Sequence, residues 1–348
     1  MKALTVFPGV KGACLKDVPE PVSDSNSLLV EMVAVGICGT DREIVEGHYG
    51  WKPPNCDYLI IGHESLGRVI SAPPQSGFEP GDLVVGIVRR PDPVPCSSCA
   101  VMEWDMCSNG LYSERGIKEL HGFCSEKFLL EPNFAVRTDP TLGVLGVLLE
   151  PTSIVAKAWE QAERIMSRTH YRPARVLITG AGPIGLLAAL IGRQRDLEVH
   201  VLDKVTSGPK PTLVRELGAT YHSDCESLAP LKNTFDLVFE CTGSSSLVLQ
   251  VILIAGPNSV TCLTGVSSGH RKVEVDVSCV ARSVVLENGV IFGTVNANKR
   301  HYDLAAHVLD VADRGWLGKL ITRKVKLNQW EQALAKNKED IKTIIVLE

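Results

Sequence analysis

The chain has no excess of basic residues. Its 36 Lys and Arg stand against 40 Asp and Glu, for a formal net charge of -4, so it lacks the electrostatic footprint of a nucleic-acid binder. Apolar runs of membrane-spanning length are also missing. Stretches such as IGLLAALIG fall well short of the roughly 20 residues that a bilayer requires. The opening residues, MKALTVFPGVKGACLKDV, alternate like a strand and lack the apolar core of an export signal. The expectation is a cytoplasmic protein with no membrane and no nucleic-acid partner. Repeats and low-complexity segments are absent. Cysteines are plentiful, but eleven cannot all pair, and in a reducing compartment thiols at short spacing are metal ligands or core residues rather than disulfides. One particular cysteine is missing. In PVPCSSCAVMEWDMC, Cys96, Cys99 and Cys107 stand in close succession, and the place three residues before Cys96 holds Pro93. A closed structural zinc site takes four ligands, so this stretch alone does not complete a site of four thiolates.

What is present suits a soluble globular enzyme: 348 residues, 45% hydrophobic and 22% charged, enough for one large or two ordinary domains. To about residue 140 the chain reads as short extended runs broken by Gly and Pro. LLVEMVAVGICG, LIIGHESLGRVIS and GDLVVGIVRRP each read as strand, turn, strand. Beyond Pro140 the texture changes. TLGVLGVLLEPTSIVAKAWEQAERIM has helical periodicity. RVLITGAGPIGLLAALIGRQRDLEVHVLDK then reads as buried strand, Gly-rich turn, helix and second strand, and FDLVFECTG and NSVTCLTGVSS add strands ending in Thr-Gly. This alternation implies a doubly wound parallel sheet, so the fold class is α/β. The last fifty residues carry an amphipathic helix in DLAAHVLDVADRG and finish on the strand IKTIIVLE.

Gly180, Gly182 and Gly185 form G-A-G-P-I-G directly after RVLIT, with Pro183 and Ile184 opening the helix. Such a turn suits a dinucleotide: the first glycine permits the turn, the second admits the pyrophosphate and the third lets helix pack on strand. The helix N-terminus offers free N–H groups to the phosphates. Asp203 ends the next strand and is placed to accept hydrogen bonds from the adenosine ribose, which favours NAD. Lys204 and Lys210 follow and can offset repulsion of a 2′-phosphate, so NAD is preferred and NADP possible. Thr242, Gly243, Thr264 and Gly265 end later strands, where ligands of such sheets gather.

A second constellation lies in the β-rich half. Gly36-Ile37-Cys38-Gly39-Thr40-Asp41 and Gly62-His63-Glu64 bring a thiolate, an imidazole and a carboxylate, donors that suit zinc.

The order GICGTD, GHE, Cys-rich lobe and GAGPIG resembles the zinc-containing medium-chain alcohol dehydrogenase family over essentially the whole chain. VRRPDP, YSERGIKELHGF, LLEPTSIV, LTGVSSG and GTVNANKRHYD further resemble its glucose 1-dehydrogenase branch. The resemblance implies a GroES-like β-rich catalytic domain over 1–155, a Rossmann NAD(P)-binding domain over 156–296 and a catalytic return over 297–348, with the active site in the cleft between domains. It implies a catalytic zinc at Cys38 and His63, with Glu64 and Glu150 both candidate carboxylate ligands. Thr40 matches the hydroxyl that passes a proton outward, while Glu43 stands where alcohol-specific members carry a relay histidine. Glu114 and Asn296 match sugar-contacting positions, Asn296 also reaching the nicotinamide. Arg89 or Arg90 lines the same pocket or forms an ion pair. The implied reaction is oxidation of an aldose, D-glucose first, to its 1,5-lactone by a homodimer or homotetramer. The alternatives are another polyol or aminocyclitol as substrate, or a zinc-free NAD(P)-binding sensor or reductase. In the family, the lobe at Cys96, Cys99 and Cys107 holds a second zinc through four cysteines. Asp92, one residue before Pro93, offers an oxygen that could complete the set, and the expectation leans to a lobe held by packing without a tightly bound zinc.

Overall fold

The computed structural model describes residues 1–266, 274 and 276–347. By internal contacts the chain divides into two compact units, Met1–Ser153 with Asn296–Glu348, and Ile154–Val295.

In the first unit a sheet runs in the order Ala135–Arg137, Leu83–Gly86, Glu64–Ser71, Leu28–Ile37, Lys342–Val346 and Ile321–Lys326. Lys127–Leu130 also pairs with Leu28–Ile37. Leu28, Val30, Met32, Val35 and Ile37 are buried against Val69, Val84, Phe123, Phe128 and Ile345, and each such side chain contributes about 1.5–3 kcal/mol by leaving water. LLVEMVAVGICG differs from its expected strand-turn-strand: Leu28–Ile37 is one unbroken strand. Gly36 is not a turn residue. A Cβ there would lie 2.0 Å from Glu64 Oε2, so glycine makes room for a buried carboxylate on the neighbouring strand. The return segment after Val295 forms the helix Lys299–Asp310, which starts earlier than its periodicity suggests because Asn298 caps it reciprocally with His301. The last strand, Lys342–Val346, lies antiparallel to Leu28–Ile37, pairing Thr343 with Ile37 and Ile344 with Gly36.

In the second unit six parallel strands run in the order Thr220–His222, Glu198–Leu202, Arg175–Thr179, Phe235–Glu240, Ala255–Leu263 and Val290–Gly293. The connections reverse direction on either side of Arg175–Thr179, which makes the ends of that strand and Phe235–Glu240 a topological switch point. Leu177, Leu202, Phe235, Val238 and Val251 are buried together. Of the LTGVSSG segment, Ser267, Ser268 and Gly269 lie outside the described residues.

One helical stretch amends the sequence reading. Pro140–Met166 is long and apolar enough to cross a bilayer by length and composition, and 72% of its apolar window is buried inside the protein.

Candidate active site

Cys38 caps the helix Gly39–Val45. Its Sγ accepts the Thr40 N–H at 3.2 Å, while Asp41 Oδ2 accepts the Cys38 N–H at 2.9 Å. This reciprocal cap fixes the thiol at the end of strand Leu28–Ile37. His63 precedes the strand Glu64–Ser71, and its Nε2 lies 3.0 Å from Cys38 Sγ. The opposite ring nitrogen, Nδ1, faces Asp41 Oδ1 at 3.4 Å, and neither of those two buried atoms has another hydrogen-bond partner. Burial opposes charge on His63, but Cys38 and Asp41 outweigh it and hold the imidazole well above its ordinary range. Burial likewise opposes charge on Asp41, and His63 with the Cys38 N–H keeps its carboxyl low. Cys38, Asp41 and His63 bring their ligand atoms within 4.8 Å of one another. A thiol beside an imidazole whose far nitrogen faces a carboxylate is a donor set that fits zinc.

The two candidate carboxylates are placed differently. Both Glu64 oxygens accept from Lys342 Nζ, at 2.7 and 2.5 Å, and both residues are buried. Glu150, at the start of helix Leu149–Met166, is pushed up to about 8 by burial, with His63 and Lys342 pulling down and Glu64 and Asp41 pushing up. The sequence alone assigns no role to Asp41 or Lys342. Asp41 was legible as the third residue after a helix cap. For Lys342 the one local sign is a lysine inside the apolar strand IKTIIV.

Arg89, Glu114 and Asn296 come together in the same unit. Arg89 donates from Nε and Nη2 to Glu114 Oε1 at 3.0 and 2.9 Å, and Asn296 Nδ2 donates to the same oxygen at 2.6 Å. Among the described residues no hydrogen bond reaches Oε2. Asn296 holds a left-handed backbone, φ +63, which asparagine tolerates better than most residues. Arg90 lies elsewhere: it pairs with Glu131 at 2.7 Å and stacks on Phe134.

In the second unit Gly180 has φ +87 and Gly182 caps the helix Pro183–Gln194, with Pro183 and Ile184 in its first turn. A Cβ on Gly185 would sit 1.8 Å from the Gly180 oxygen, so only glycine permits this packing of helix on turn. Asp203 Oδ2 accepts the Ala181 N–H of that turn at 2.7 Å, and Lys210 Nζ lies 3.8 Å away. Lys204 is exposed. Thr242, Gly243, Thr264 and Gly265 all meet around Glu240, to which Thr242 and Gly243 donate through backbone N–H groups.

In the lobe, Cys96, Cys99 and Cys107 bring their sulfurs within 4.8 Å of one another, and that group includes no carboxylate. Asp92 is buried nearby: its Oδ1 accepts the Val94 N–H at 2.8 Å, and its Oδ2 has no partner. The N–H groups of Cys99 and Ser108 pull the Cys96 thiol down to about 6, whereas burial pushes Cys99 up to about 11.

A family model described as glucose dehydrogenase C-terminus matches residues 143–347, and one described as alcohol dehydrogenase GroES-like domain matches residues 24–140. The chain belongs to the zinc-dependent medium-chain dehydrogenases, in their glucose dehydrogenase branch. It is an NAD(P)-dependent dehydrogenase acting on CH–OH groups. The glucose 1-dehydrogenase of Methanocella arvoryzae is 38% identical over 99% of both chains, and that of Thermoproteus tenax 36% identical over 99% of both. Among solved structures, the Haloferax mediterranei glucose dehydrogenase in complex with NADP, Zn and gluconolactone superposes with a TM-score of 0.92. It is 31% identical, with 100% of this chain and 99% of that one covered. L-idonate 5-dehydrogenase of Escherichia coli, 19% identical over 99% of this chain and 98% of that one, TM-score 0.81, shares the fold.

Proposed function

We propose that the chain oxidises the anomeric carbon of an aldose, D-glucose before others, to the 1,5-lactone, with hydride passing to NAD(P)+. The observation that carries this reading is the buried Glu114. Two neighbours, Arg89 and Asn296, orient it through one oxygen, which leaves the other to accept hydroxyls of a polyol. A simple alcohol would leave such polar groups unpaired at a large cost in rate. The glucose 1-dehydrogenase names of the relatives and the gluconolactone of the Haloferax structure support the same substrate.

Cys38 Sγ and His63 Nε2 would hold zinc, with Glu64 or Glu150 adding an oxygen. Bound zinc supplies Lewis acidity that makes a carbinol hydroxyl easier to deprotonate. The chain's own residues do the rest. Asp41 fixes the ring and tautomer of His63. Thr40, in the first turn after Cys38, carries the departing proton outward. Glu114 and Asn296 orient the sugar. Asp203 makes NAD the preferred cofactor, and Lys210 beside it leaves NADP usable.

A second copy of the chain is the proposed protein partner. The edge strand Val290–Gly293 is only half-buried, and the neighbouring helix Val277–Leu286 exposes Val277, Val285 and Leu286. Such an apolar edge favours assembly into a dimer or tetramer. The eleven cysteines are free, which suits a reducing cytoplasm.

The test is a panel of aldoses and polyols assayed for NADH and NADPH formation before and after chelation. Glucose should be the preferred substrate, and its oxidation should stop when zinc is removed. Turnover of a different polyol in place of every aldose would overturn the substrate assignment, and full activity in zinc-free protein would overturn the zinc assignment.

A further inference from the structure

The geometry points to Glu240 as a positioning residue that shapes the cofactor-binding rim of the sheet. It is fully buried and ends the strand Phe235–Glu240, which borders the topological switch point. The inference rests on the dinucleotide reading of the second unit and deepens it.

The donors that meet this carboxylate come from two separate strand ends. Thr179, the last residue before the Gly180 turn, donates its hydroxyl to Oε1 at 3.1 Å. Thr242 donates its backbone N–H to Oε1 at 2.8 Å and adds its hydroxyl to the same oxygen. Gly243 donates its N–H to Oε2 at 3.0 Å. The Glu240 carbonyl recruits a third strand end, accepting the Thr264 N–H, the Gly265 N–H and the Thr264 hydroxyl at 2.9, 3.0 and 2.9 Å. Thr242 Oγ1 in turn accepts the Ser244 N–H at 3.0 Å, at the start of helix Ser245–Ile254. One residue thus ties together the three loops that should meet the dinucleotide. These donors are amides and hydroxyls, none of them charged. They place four hydrogen atoms on two carboxylate oxygens, a pattern that fixes loop conformation.

The packing around this carboxylate leaves no slack. A Cβ on Gly265 would lie 2.1 Å from the Gly243 nitrogen and 2.9 Å from Glu240 Oε2. A Cβ on Gly180 would lie 2.9 Å from Thr242 Cγ2. A loop displaced at Thr242–Gly243 therefore presses on the Gly180 turn directly.

Glutamine at 240 has the same shape but the wrong donors. Its amide oxygen can serve Thr242 or Gly243; its NH2 then meets the N–H of the other. Neither orientation satisfies both amides. We expect the Glu240→Gln variant to raise the KM and Kd for the dinucleotide by roughly tenfold or more, with sugar KM at saturating cofactor little changed. Amide hydrogen exchange at Thr242 and Gly243, which donate to the carboxylate, should quicken, whereas Thr264 and Gly265, held by the Glu240 backbone carbonyl, should be less affected. Should Glu240→Gln not fold, Thr179→Val removes one donor and keeps the shape; a smaller rise in dinucleotide KM is expected there. A lowered melting temperature with unchanged dinucleotide affinity in the variant that folds would make Glu240 a merely structural residue and overturn the inference. Equilibrium dialysis of the wild type with NAD+ and NADP+ separates the two levels of argument. Binding of neither would sink the cofactor reading and this inference with it, whereas wild-type binding that the variants retain sinks this inference alone.

Discussion

Lys342 Nζ lies 2.7 and 2.5 Å from the two carboxylate oxygens of Glu64, although 278 residues separate them. The register of the last strand on Leu28–Ile37 brings the lysine there, and the missing side chain of Gly36 gives the carboxylate its space. Both groups are out of water, so each is the other's counter-charge.

Removing that lysine should leave Glu64 buried and uncompensated. For Lys342→Met in chelated protein we expect a loss of about 3–5 kcal/mol in denaturant unfolding. Zinc should restore part of it, because the ion offers Glu64 a replacement cation. A variant as stable as the wild type without metal would show that the pair is not a structural necessity.

Cys38→Ala and His63→Ala should lose both zinc and activity; an active, zinc-free Cys38→Ala protein would refute the ligand assignment. Asp41→Asn is the finer probe. It keeps the shape and removes the charge facing His63 Nδ1, so zinc affinity should fall about 10–100-fold in competition with a chromophoric chelator, while the far-ultraviolet dichroism stays unchanged.

Glu114→Gln should separate sugars from simple alcohols. Losing a charged acceptor for substrate hydroxyls is expected to lower kcat/KM for glucose roughly 10–100-fold, with turnover of a small secondary alcohol little altered. Equal losses on both substrates would mean that Glu114 supports the site rather than reading the sugar.

The lobe should hold no tight zinc. Three sulfurs gather within 4.8 Å without a carboxylate among them, and Pro93 offers no ligand. Metal analysis after gel filtration is expected to give one zinc per chain, and two per chain would show that Asp92 Oδ2 or a solvent ligand completes the set.

Glu131 should set part of the acid stability. Burial opposes its charge, but Arg90 and Arg115 hold its carboxyl at about 2, below the usual 4.5. A depressed carboxyl contributes stability above its unfolded pKa and loses it as pH falls toward the folded value. The stability gap between wild type and Glu131→Gln should therefore be full near neutrality and close between about 4.5 and 2. A gap independent of pH across that window would assign the effect to packing.

Motifs built from neighbours in sequence are legible in the sequence alone. The strand, glycine turn and helix of RVLITGAGPIG declare themselves because each part constrains the next within a few residues, and the run of motifs declared the family. Relationships across the sheet were not legible. LLVEMVAVGICG looked like a broken strand because Gly36 serves a carboxylate on the adjacent strand, information that local periodicity does not contain. Asp203 reads from sequence as a ribose acceptor, and its carboxylate also holds the Ala181 N–H. Glu240 is not legible in FDLVFECTG, since an acid at a strand end looks like any solvent-facing residue until donors from two strand ends meet its carboxylate.

The pairing of Lys342 with Glu64 also puts the site on a timetable. The ribosome delivers Glu64 first and Lys342 only 278 residues later. At roughly 5–20 residues per second that is a delay of about a quarter of a minute to a minute. During it the nascent first unit lacks the strand Lys342–Val346, and Glu64 lacks its lysine partner. The contiguous second unit can fold while the first waits, so completion of the candidate metal site is deferred until the strand Lys342–Val346 has emerged.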